Sequence, residues 1–123
     1  MIDLKPTMDE DGYPTEETER LIRQFEGDAR ELLAAIKEIW MHPTYWDEED
    51  GTDVIDRPVH RYHVSTAGWS GNESLIGALE NTMFWMRFWV QERVGGHYIF
   101  EIGEGDASVV PFLHKPCATC GRY

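Results

Sequence analysis

Apolar residues fall into helical spacing early in the chain, into alternation midway, and then into a long segment that is apolar almost all round. Thr15 can cap a first helix, with Glu16, Glu17 and Glu19 near its positive end. Leu21, Ile22 and Phe25 give that helix a short apolar face, and Gly27 marks its end. Asp28 with Glu31 reads as the start of a second helix, whose apolar face is Leu32, Leu33, Ile36, Ile39 and Trp40. His42-Pro43 stops the run.

Residues 45–56 (YWDEEDGTDVID) read as an acidic loop, and residues 57–66 as a strand with Pro58 at its beginning. Tyr62, Val64 and Thr66 share one face of that strand, and Arg61, His63 and Ser65 the other. His60 and His63, three apart in a strand, point to opposite faces, which argues against a shared metal. A tight loop over residues 67–72 leads into one helix from about Glu73 to Val94, which Gly95-Gly96 ends. His97 to Ile102 is a strand by composition, and Ser108 to Leu113 a weaker one interrupted by Pro111.

The expected fold class is α+β. An N-terminal helical hairpin joins a core of strand, long aromatic helix and strand, with a small antiparallel sheet. Residues 1–12 form a flexible acidic arm, 13–113 one domain, and 114–123 a tail.

The long helix bears most directly on function. At about 100° per residue, Ile76, Leu79, Met83, Met86, Val90 and Val94 form one stripe, with Trp85 and Trp89 on the far side and Phe84 and Phe88 between. So apolar a helix needs cover on most sides, from its own domain or from a partner. Trp85, Phe88 and Trp89 are therefore candidate interface residues, for a homodimer or for another protein.

Composition adds a field. The chain of 123 residues carries a formal charge of −12, and the 15 Asp/Glu and 5 Lys/Arg of residues 1–50 account for −10 of it. Such a surface repels nucleic acid and anionic membranes directly and steers towards basic proteins. It also suits occupation of a nucleic-acid-binding site on another protein. Asp47, Glu48, Glu49 and Asp50, with Glu16, Glu17, Glu19, Glu26 and Glu31, are the acidic candidates for such a contact. No apolar run is long enough to span a bilayer, and the first residues lack a signal peptide's basic start. The expected location is the cytoplasm.

Three constellations carry chemistry. Gly68-Trp69-Ser70-Gly71-Asn72-Glu73 joins a strand to a helix, where exposed N–H groups can hold an anion or ligand, although Asn72 as a plain N-cap accounts for much of the same pattern. Ser70 with His63 or His97 and Glu101 contains the residue types of a hydrolase, without a nucleophile-elbow motif. His114, Cys117 and Cys120, in the pattern His-x-x-Cys-x-x-Cys-Gly, resemble part of a structural zinc site. His42, His60, His63 or His97 is then the fourth ligand, unless two chains share the ion; the alternative is a reduced, unliganded pair.

Tyr13-Pro14-Thr15-Glu16-Glu17, residues 65–73 (STAGWSGNE), Met83-Phe84-Trp85-Met86 and residues 95–100 (GGHYIF) together resemble a family of small uncharacterised phage and prophage proteins. The resemblance spans roughly residues 13–102 and implies a mobile-element origin and a host cytoplasm. It brings no catalytic residues, and it leaves the two cysteines outside. The leading expectation is a small accessory protein that binds a basic, nucleic-acid-binding partner. The alternatives are a small enzyme or ligand-binding domain built on the 68–73 loop, and a homo-oligomer.

Overall fold

The computed structural model describes residues 2–111, apart from 81 and 94. Helices α1 (Glu16–Arg23) and α2 (Ala29–Ile39) come first, separated by the two-residue strand β1 (Gly27–Asp28). Strands β2 (Trp46–Thr52) and β3 (Pro58–Ser65) form a hairpin. Helices α3 (Ser70–Glu80) and α4 (Met83–Phe88) come next, then strands β4 (Trp89–Arg93), β5 (His97–Gly103) and β6 (Ser108–Val109). The main sheet is antiparallel with order β2-β3-β5-β4, and β1 pairs with β6 in a separate two-stranded ribbon. The fold is α+β, as the periodicity predicts.

Local chemistry places the first two helices. Thr15 caps α1 in a reciprocal box: its hydroxyl accepts the Thr18 N–H while the Thr18 hydroxyl accepts the Thr15 N–H. Asp28 caps α2 by accepting the Arg30 N–H at 2.7 Å. The segment read as a loose arm lies against the domain, since Leu4 is buried and the Thr7 hydroxyl meets that of Thr18 at 2.6 Å.

The core joins Leu32, Leu33, Ile36 and Trp40 of α2, Leu75, Ile76 and Leu79 of α3, and Phe84 and Phe88 of α4 to one face of the sheet. That face presents Trp46, Tyr62, Val64, Phe100 and Ile102. The opposite face carries Glu49, Arg61, His63 and Glu101. Among the described residues no helix is long and apolar enough to cross a membrane.

Two expectations are corrected. Residues 73–94 do not form one helix. Thr82 ends α3, its hydroxyl donating to the Leu79 carbonyl at 2.6 Å, and caps α4 by accepting the Trp85 N–H. The chain then leaves helix at Trp89 and pairs with β5. Breaking the rod lets Phe84 and Phe88 enter the core, while the β-branched and aromatic pair Trp89-Val90 adopts the strand geometry it favours. A continuous helix would have left indoles on its outer side in water.

The second correction concerns residues 45–56. Trp46–Thr52 is a strand, paired with β3 along its whole length. Asp, Glu and Gly disfavour strands, and what offsets this is the basic residues that β3 sets opposite.

Candidate interaction surface

The loop that the sequence singles out as a ligand site is mostly committed to packing. Ala67 and Gly68 take left-handed conformations, with φ of 53° and 73°, and turn the chain out of β3. The Trp69 indole lies over Gly71 so closely that a Cβ there would collide with it, and Tyr13 packs on the indole at 4.8 Å. Asn72 sits inside α3 instead of capping it, and it is fully buried. Its amide accepts the Met41 N–H at 3.0 Å and donates to the Met41 carbonyl at 2.9 Å, imitating a backbone partner. Ser70 and Glu73 are exposed beside it. Asn72 thus ties the segment after α2 to the start of α3, while Trp69 packs against Gly71 and Tyr13.

The acidic run forms one edge of the sheet. His60 on β3 stands between the Asp50 carboxylate, 2.8 Å from Nδ1, and the Glu48 carboxylate, 2.7 Å from Nε2. Ionised carboxylates only accept, so this geometry favours the protonated imidazole, in which both ring nitrogens donate. Those bonds, Asp50's first, raise the His60 pKa. Burial pushes Glu48 up, but hydrogen bonds from His60, Trp46 and Lys37 outweigh it and leave its pKa lowered. On the opposite face Glu49 receives His63 Nε2 at 2.6 Å and Arg61, and these bonds lower its pKa. Arg61 also donates to Glu101 at 2.7 Å and to the Thr52 carbonyl. His60 and His63 do lie on opposite faces.

At the other edge, β4 is exposed along all five residues. Trp89 is 41% exposed and stacks on half-buried Trp85, with ring centroids 5.9 Å apart and planes 15° apart. Trp85 in turn meets Tyr98 and Phe100 edge-on. Val90 and Met86 are exposed, Met86 by 73%. A concavity of about 710 Å³ runs from here across the end of the sheet to the β2–β3 turn, with Val54, Val59, Trp89 and Val90 among its walls. Val54 is wholly exposed, yet the turn is rigidly built: the Asp53 carboxylate accepts the N–H groups of Ile55 and Arg57 and the Arg57 guanidinium.

No protein-family model, curated protein or solved structure matches the chain. The geometry therefore stands alone.

Of the expected interface residues, Trp85 and Trp89 come together on β4's side and Phe88 is buried behind them. Asp47 to Asp50 lie on the far edge. Met86, Val90, Val54 and Glu92 went unnoticed in the sequence as contact residues. For Val54 the visible signal was the isolated Val54-Ile55 pair between two aspartates, and for Met86 and Val90 the apolar stripe. Among the described residues, no hydrogen bond joins Ser70 to His63 or His97, and Glu101 is held by Arg61. Likewise no three His, Cys, Asp or Glu side chains are placed to hold a metal. His114, Cys117 and Cys120 lie outside the described residues.

Proposed function

We propose that the protein acts by binding a basic protein, and that the outer side of β4 with the end of α4 is the contact face. The observation that carries this reading is the concentration of exposed large apolar side chains, Met86 in α4 and Trp89 and Val90 on an edge strand whose outer side no strand covers among the described residues, in a strongly acidic chain. Exposed apolar clusters rimmed by polar residues mark contact sites, and aromatic anchors carry much of the energy at such sites. The net charge of −12 favours encounter with a cationic partner, including one whose basic surface otherwise holds nucleic acid. It also opposes pairing of two copies through this face.

The test is association with a panel of basic nucleic-acid-binding proteins at low and raised salt, for the native chain and for Met86→Glu and Trp89→Asp. The expected result is an association rate that falls with salt and a complex lost in both variants. Salt-independent binding, or full binding by both variants, would overturn the proposal.

A further inference from the structure

We infer that the β4 edge takes its partner as an extended segment, with a lysine or arginine two positions from an apolar residue, added to the sheet as a new outer strand. This rests on the docking reading above and specifies the shape and chemistry of what docks.

The backbone supplies the first argument. β4 has β5 on one side and, among the described residues, no strand on the other. The N–H and C=O groups along its outer side are therefore open to pairing, and an extended chain satisfies them where a helix cannot.

The side chains supply the second. The ladder between β4 and β5 carries a bulge between Trp89 and Gln91, with Trp89 opposite Phe100 and Glu92 opposite Tyr98. The extra residue lets Trp89 and Glu92, three apart in the chain, share the helix-side face of the sheet. Trp89 is already ordered there by its stack on Trp85. Charge complementarity is the third argument. Glu92 stands directly opposite Tyr98 in the ladder, Glu73 and Glu80 are exposed on α3, and after burial the charges of these three carboxylates add to the upward shift of the Tyr98 phenol. None of the three pairs with a cationic side chain among the described residues.

An added strand presents every second residue to one face. One such residue covers the Trp89 indole and the next reaches the carboxylates, which sets the two-residue spacing. A second copy of β4 offers no such match, because it brings its own Glu92 and Glu80 to the same acidic side.

The experiment uses the full isotope-labelled chain and a short threonine-rich peptide carrying lysine and leucine two positions apart. Amide shifts and new exchange protection are expected over residues 89–93, and replacing lysine by glutamate should abolish them. Two further peptides are N-methylated on alternate residues, each in one of the two registers. Strand addition needs the N–H groups of one register only, so one should bind at least about tenfold more weakly than the other.

Equal binding of both methylated peptides at this face would overturn strand addition and leave the docking proposal standing. A peptide that leaves residues 86–93 unperturbed would overturn the inference, while the docking proposal still answers to its own salt and variant test. A dimer in light scattering that Val90→Lys dissolves would name a second copy as the occupant and overturn both.

Discussion

The two edges of the main sheet solve the same problem in opposite ways. Any edge strand leaves hydrogen-bonding groups open, and proteins blunt such edges with charge. At β2 the blunting is thorough: of four consecutive carboxylates, three are hydrogen-bonded to His60, His63, Arg61 or Lys37. At β4 it is slight, with one bulge and a charged end beyond an exposed Trp89 and Val90. The lesson is that net charge does not locate the exposed apolar surface. The most acidic segment is largely spent on its neighbouring strand, and among the described residues the more apolar edge is the one left uncovered.

The largest effect should come from Trp89→Asp. Truncating or charging an anchor of this kind costs roughly 2 kcal/mol or more of binding energy. Titration calorimetry with a basic partner would show it, and Met86→Glu, at a more exposed position, should weaken the complex with the fold intact. Should only Asp47–Asp50 reversals weaken binding, the contrast between the edges would be inverted.

Arg61→Ala tests the other edge. It removes contacts to Glu101, Glu49 and the Thr52 carbonyl, and should lower stability by about 1–2 kcal/mol in urea unfolding, with binding unchanged. Thr82→Ala removes the hydroxyl that ends α3 and caps α4, at a cost of about 1 kcal/mol. It would show whether β4 depends on that break.

The pH dependence has a defined sign. His60 has a raised pKa, so its contribution is complete below the ordinary value of 6.5 and fades as pH rises through the higher folded value. Glu48 and Glu49 have lowered pKa values, so their contribution is present above 4.5 and is lost as pH falls through the lower folded values. Stability from this edge should therefore peak between those limits, and His60→Gln should flatten its alkaline side in thermal scans. The smallest effect belongs to Asp47→Lys. Asp47 is exposed and unpaired among the described residues, and its reversal should move stability by less than about 0.5 kcal/mol.

Local information fixed a good part of this molecule. Thr15 and Asp28 announce the starts of α1 and α2, and alternation around Tyr62 and Val64 marks β3, because caps and periodicity act over a few residues. The α+β class comes from that order of elements. The aromatic richness of residues 83–89 was legible too, along with the need for something to cover it.

Long-range pairing decided the rest. The run over residues 47–51 disfavours a strand by composition; His60, Arg61 and His63, arriving from β3, make it one. Nothing within Trp89–Arg93 breaks the helical pattern, yet β5 offers a ladder that water and a bare helix could not match. Which carboxylates stay free, and which indole faces outward, depend on where the chain folds back. That choice minimises exposed apolar area and unpaired backbone over the whole domain, and no window of sequence contains that sum.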